Sequence, residues 1–424
     1  MSSVWPQNGC DYLMRSFDWE LRRHGYAGNS CQIILELAGA IQPEQLRARL
    51  QMLTERYPIL NARSAGIFRR RWKLPNGVVQ PPQVRVHRDR PELLQRLINE
   101  GLASDDGELM RFDLIECDTG RMKVVFTWAH ALMDAHSAEH FVGVVGREDL
   151  PLPATKYQPP AGPRLPFKER SCRALKNFQA YNQFRNQAPR SPGVRFPDAS
   201  AILQHRVELF TAEETAQVRA TARKYAGALG EAQFHAAVTI LEVHELHQRI
   251  GCASPSYLLP VPVGLRPKGN VEPLFSNQVT MLLLQFLPEH LTDPGKTIAH
   301  LKTQTGQAMR DGVVDGGVMF LEMLRMLPLP AHQGFTKMGL KGEVCSIFYG
   351  NTAAVSPVVT KFLGADIEGF THVAAVPPSP GIGVIFYNYR GLLRVTVLHL
   401  AKTLSEAEAA EFAAGLRRRL LGGD

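Results

Sequence analysis

Among 424 residues there is no Cys-x-x-Cys pair and no dense cysteine framework; Cys10, Cys31, Cys117, Cys172, Cys252 and Cys345 are scattered. This spacing argues against a disulfide-stapled scaffold and a cysteine zinc site, and for reduced thiols in a cytoplasmic protein. Apolar runs are short. No stretch of about 18 apolar residues is uninterrupted, so no transmembrane span is expected. The opening MSSVWPQNGCDYLMRSFDWE lacks the basic and apolar regions of a secretion signal. There is no Gly-rich phosphate loop, which removes nucleotide hydrolysis from the candidate chemistries. Aromatics are also too few around the basic clusters to build a nucleic-acid surface: Trp72 stands beside Arg69–Arg70–Arg71, and Arg417–Arg418–Arg419 has no such neighbour.

What is present is the composition of a globular protein, 45% hydrophobic and 21% charged, long enough for two packed domains. The net charge of +8 suits an anionic partner. Periodicity predicts strands at Cys31–Leu37, Val84–His87, Leu109–Cys117 and Met122–Trp128, with helices at Pro43–Arg56 and Pro91–Leu102. Strands this close in sequence are expected to pair antiparallel. Prolines then interrupt residues 151–200, which read as a crossover linker with a helical piece around Glu169–Gln187. The domains expected are therefore residues 1–150 and 201–424. In the second, Thr211 and Glu214 make a capping box before Ala212–Tyr225, and Glu231–Arg249 is a long helix. Strands follow at Ser256–Arg266, Phe275–Leu284 and Val344–Asn351, with a helix from Asp293–Pro294 through Arg310 between the last two. A hairpin, Gly383–Tyr389 and Leu392–Leu400, and a helix ending at Leu420 close the chain.

The chemistry concentrates in Arg121–Val145. Met122, Val124, Phe126 and Trp128 alternate along a strand; His130 stands at its end, Asp134 in the turn beyond, and a helical segment begins near Ser137. An imidazole with an ordinary pKa of about 6.5 suits proton removal at neutral pH. On the plainer reading, Asp134 caps the helix and His130 is an ordinary strand-end residue.

This strand, His-x-x-x-Asp, helix arrangement resembles the active-site motif of the chloramphenicol acetyltransferase-like superfamily, which includes condensation domains and wax ester synthases. The fuller His-His-x-x-x-Asp-Gly form is not reproduced: Ala129 replaces the first His and Ala135 the Gly. Further resemblances lie in Arg56–Tyr57–Pro58–Ile59–Leu60–Asn61–Ala62–Arg63, in the Pro-Val-x-x-Arg that ends at Arg266, in the Ser276–Asn277 strand start, and in the Val344–Asn351 strand. The resemblance implies a mixed α/β (α+β) fold of two subdomains, each a mixed, largely antiparallel sheet with helices, meeting at a V-shaped cleft. It implies an acyltransferase or free-standing condensation enzyme of secondary or lipid metabolism. The acyl group would pass from acyl-coenzyme A or a phosphopantetheinyl carrier protein, as co-substrate, to an alcohol or amine, with no permanently bound cofactor. His130 would be the general base and Asp134 a structural carboxylate paired with Arg266 or Arg63. Asn277, Ser346, Tyr349 and Asn351 are candidates for lining the substrate channel.

Two other readings stand beside this one. His130, Asp134, His136 and His140 have ligand types and spacing a metal-dependent hydrolase uses. The altered Ala129 and Ala135 positions suit an inactive domain that docks a carrier protein.

Overall fold

The computed structural model describes residues 4–65, 71–74, 79–152, 166–267, 269–338 and 340–423. Arg69 and Arg70 of the first basic cluster, and residues 153–165 of the proline-rich linker, lie outside them. The chain opens with β1 (Val4–Pro6) and α1 (Gly9–Arg23). Asn8 and Asp11 hold the start of α1 in a reciprocal capping box. Next come β2 (Ser30–Leu37), α2 (Pro43–Arg56), β3 (Arg63–Ala65), β4 (Arg71–Lys73), β5 (Gln83–Arg88), α3 (Leu93–Ile98), β6 (Met110–Glu116), β7 (Met122–Ala129) and α4 (Ala135–Gly146). Beyond the linker lie α5 (Phe167–Asn182), β8 (Leu203–Leu209), α6 (Ala212–Ala226), α7 (Glu231–Arg249), β9 (Tyr257–Gly264), β10 (Val279–Phe286), α8 (Pro294–Arg310), α9 (Val313–Leu324) and α10 (Leu329–Met338). The last elements are β11 (Phe348–Ala354), β12 (Lys361–Phe362), β13 (Ala365–Val373), β14 (Ile382–Tyr389), β15 (Leu392–Leu400) and α11 (Glu406–Leu420).

Two larger sheets organise the molecule. A six-stranded sheet runs β12-β13-β2-β7-β6-β5 and a four-stranded sheet runs β11-β14-β15-β8. β7 lies in the interior of the first, antiparallel to β2, with Cys31 opposite Trp128 and Ile33 opposite Phe126. Those four side chains belong to one buried cluster with Leu46, Leu50 and Phe141, so α2 and α4 cover that face. On the other face Ile34 and Val125 join Leu203, Leu398 and Leu400 of the second sheet. A strand buried on both faces reads as a nearly continuous apolar run, which is what Val124, Val125 and Phe126 supply. The second core packs α7, α8 and α11 on β14 and β15.

Four expectations need correcting. β5 pairs parallel with β6, because α3 and the following turn carry the chain back to the same end of the sheet. That helix is shorter than Pro91–Leu102. The strand expected from Phe275 begins only at Val279, since the backbone N–H groups of Asn277 and Gln278 donate to the carboxylates of Asp11 and Asp134 rather than to a strand. The strand expected at Val344–Asn351 runs instead from Phe348 to Ala354.

Candidate active site

β7 delivers His130 to a turn fixed from several sides. The His130 N–H donates to the carbonyl of Asn29 (3.0 Å) and the Leu132 N–H to that of Ala129 (2.9 Å). Trp128 Nε1 donates to the carbonyl of Met133 (3.1 Å). The turn then runs into α4, whose N-cap is Asp134: Oδ1 accepts from the Ser137 N–H at 2.9 Å. The plainer reading of Asp134 is thus correct as far as it goes.

The other carboxylate oxygen does more. Asp134 Oδ2 accepts from Arg266 Nη1 at 2.6 Å and from the Gln278 N–H at 2.9 Å. Arg266 Nη2 reaches Ser137 Oγ (2.5 Å) and the carbonyls of Pro273 (3.0 Å) and Ser276 (3.2 Å). Both members of the pair are about nine-tenths buried. Of the two arginines expected, Arg266 therefore pairs with Asp134. Arg63 lies exposed on β3, packed over Gly107.

The His130 ring lies among its own backbone, the Met133 backbone and the Asn277 side chain. The His130 carbonyl accepts from Asn277 Nδ2 at 2.9 Å, while Nδ1 is buried without a well-formed hydrogen bond. Burial pulls the imidazole pKa below its ordinary value, against the opposing pull of its own carbonyl, the Asp134 charge and Asn277. The ring is a neutral base at neutral pH.

Sequence reasoning missed Asp11. Its Oδ1 accepts from both the N–H and Nδ2 of Asn277 (2.8 and 3.0 Å), and its Oδ2 from the Asn8 N–H (3.0 Å). Asn8 Nδ2 in turn donates to Ser276 Oγ at 2.7 Å. Burial pushes the Asp11 carboxyl up to about 7, although these donated bonds lower it. The Asn-x-x-Asp spacing of the capping box was the available signal.

Asn277 thus joins the site as a bridge. The other channel candidates do not gather there. Ser346 Oγ accepts from the Leu258 N–H at 2.9 Å, satisfying backbone. Asn351 Nδ2 lies 3.3 Å from both Tyr349 Oη and His235 Nδ1, a cluster in the second core. The four residues of the hydrolase reading are not brought together. His136 is exposed, His140 is half-buried on α4, and Asp134 is committed to Arg266; among the described residues no three His, Cys, Asp or Glu side chains converge as metal ligands.

No protein-family model and no curated protein matches the sequence. Solved structures do match in fold. The condensation domain of monacolin K polyketide synthase superposes with a TM-score of 0.69 at 14% identity, covering 99% of this chain and 97% of that one. The trichothecene 15-O-acetyltransferase of Fusarium sporotrichioides gives 0.72 at 11% identity, covering 99% and 95%. The first condensation domain of the calcium-dependent antibiotic synthetase gives 0.71 at 15% identity, covering 99% and 97%.

Proposed function

We propose, on the premise that this chain has the chloramphenicol acetyltransferase-like fold of condensation domains, that it moves an acyl group from a thioester to a hydroxyl or amine. The observation that carries the reading is the buried His130 ring at the end of β7, on a backbone clamped by Asn29 and Asn277, with Asp134 tied into its Arg266 pair. Both Asp134 oxygens are taken up by the Ser137 N–H, the Gln278 N–H and Arg266, so the imidazole alone is left to act as base.

With hydrogen on Nδ1, beside its own carbonyl, the ring offers the Nε2 lone pair to the acceptor. Nε2 takes the acceptor O–H or N–H proton as the oxygen or nitrogen attacks the thioester carbonyl carbon. The tetrahedral intermediate collapses by breaking the C–S bond, and the imidazolium returns the proton to the leaving sulfur. The donor's thiol is coenzyme A or the phosphopantetheine of a carrier protein, both serving as co-substrates. The reaction is read as taking place where residues 1–150, carrying His130, meet residues 201–424, carrying Arg266 and Asn277. Among the described residues no helix is long and apolar enough to cross a membrane.

The test is thiol release from a panel of thioesters against mixed alcohols and amines. His130→Ala is expected to lower turnover by at least ~10², the usual worth of a general base, with an unchanged thermal midpoint. Undiminished turnover in that variant would refute the mechanism. Silence across the panel from folded wild type would favour the docking-domain reading, which Ala129 and Ala135 keep in play.

A further inference from the structure

Asp11 is 1% exposed, which is deeper than helix capping requires. An acidic residue at the third helical position completes a capping box without being buried, as Glu214 does on α6. Burial penalises the carboxylate, and Glu322 of α9, which accepts the Gly9 N–H at 2.6 Å, adds a like charge beside it. Its Oδ1 is offset by donors from a single residue, the N–H and Nδ2 of Asn277.

Asn277 commits both hydrogens of its amide. One goes from Nδ2 to Asp11 Oδ1 at 3.0 Å and the other to the His130 carbonyl at 2.9 Å. That fixes the amide plane and leaves Oδ1 as its remaining polar atom, buried without a well-formed hydrogen bond. The same side chain lies against the His130 imidazole and favours its protonated form. Turning the amide over would set Oδ1 against the Asp11 carboxylate and the His130 carbonyl, oxygen facing oxygen. Asp11 therefore keeps the amide one way round.

Two carboxylates hold the segment before β10 at successive residues. Asp11 takes the Asn277 N–H at 2.8 Å and Asp134 takes the Gln278 N–H at 2.9 Å. Their roles differ beyond that. Asp134 reaches backbone and Arg266, whereas Asp11 grips the side chain that meets the ring.

We propose that Asp11 is a positioning residue for acyl transfer: through the Asn277 amide it holds the His130 imidazole in the orientation that turns Nε2 toward the acceptor. The inference rests on the acyl-transfer reading and adds to that site a residue that acts through another.

The experiment compares wild type, Asp11→Ala and Asp11→Asn, each with and without His130→Ala. Thiol release is followed with the thioester and acceptor that wild type turns over fastest, and the His130 ring is followed by NMR of isotope-labelled histidine without substrate. Its resonance is the one that His130→Ala removes. Asp11→Ala is expected to lower kcat by ~10 to ~10², the cost of misplacing a catalytic group by about 1 Å, while both KM values stay within about twofold. Asp11→Asn, whose Oδ1 still accepts from Asn277, is expected to keep kcat within about threefold of wild type. In the His130→Ala background Asp11→Ala is expected to lower the residual rate no further, because its effect runs through the ring. The His130 resonance is expected to shift in Asp11→Ala and to return in Asp11→Asn. Should Asp11→Ala not fold, Asn277→Ala removes the amide, leaves the capping box in place, and is expected to show the same loss and shift.

An equal loss in Asp11→Asn and Asp11→Ala would overturn the proposal, as would a further loss in the His130→Ala background, which would place the effect in the fold. A His130 resonance unmoved by Asp11→Ala overturns it too and leaves acyl transfer standing. A resonance that moves as expected, in a protein that releases no thiol from any thioester, would support the brace and sink the acyl-transfer reading instead.

Discussion

At the scale of single residues, the site is decided by which charges are paired before any substrate arrives. Arg266→Met leaves Asp134 buried and ionised without its guanidinium, and is expected to cost about 3–5 kcal/mol in urea unfolding. His130→Ala leaves the backbone bonds of the turn to Asn29 and Asn277 in place and is expected to leave stability nearly unchanged. Because burial lowers the His130 pKa, the acid limb of the pH–kcat/KM profile is expected below the ordinary imidazole value of about 6.5; a limb above it would mean a charged ring in the free enzyme. Asp11 acts in the opposite direction. Its native pKa of about 7 exceeds the unfolded value of about 4, so the folded state binds the extra proton. The stability it adds is complete below the unfolded value and is lost as pH rises through about 7. The stability of wild type relative to Asp11→Asn is therefore expected to decline as pH rises across that window, measured by denaturant unfolding at several pH values. Asp134 and His130 were legible in the sequence because they lie four residues apart on one motif. Asp11 was not, because its partner Asn277 lies 266 residues away.

At the scale of elements, local pattern and tertiary demand agree where a strand or helix needs only its neighbours. β2, β7, α2, α6 and α7 occupy nearly the spans their periodicity predicts, and Thr211 and Glu214 form their capping box as read. Disagreement comes where a carboxylate outbids the strand. Phe275–Gln278 has a strand-like pattern, but Asp11 and Asp134 take the N–H groups that a ladder would use. The contact of α1 with α9 was equally hidden, since nothing local marks Gly9 as a crossing point. Gly9→Ala forces a Cβ against the Leu321 backbone and is expected to cost about 1–3 kcal/mol, read as a lowered thermal midpoint.

At the scale of the whole molecule, the two larger sheets are stitched together by chain from opposite ends. β13 completes the first sheet by pairing with β2, from Val373 opposite Gln32 to Ile367 opposite Leu37. Residues 1–200 expressed alone would leave that edge of β2 open, and are expected to be insoluble or to lack a cooperative melt, whereas the full chain melts cooperatively. A soluble, cooperatively melting fragment would show that β13 is dispensable. By itself the sequence determined the mixed α/β character, most strands and helices of the two halves, and the strand-end His130 with its capping Asp134, because each depends on periodicity or spacing within a few residues. Only the tertiary structure decided that Arg266 rather than Arg63 holds Asp134, that Asp11 and Asn277 brace the His130 turn, and that β13 returns to the first sheet. Those choices rest on contacts between segments more than 100 residues apart, where burial and hydrogen-bond satisfaction, not local pattern, set which partners meet.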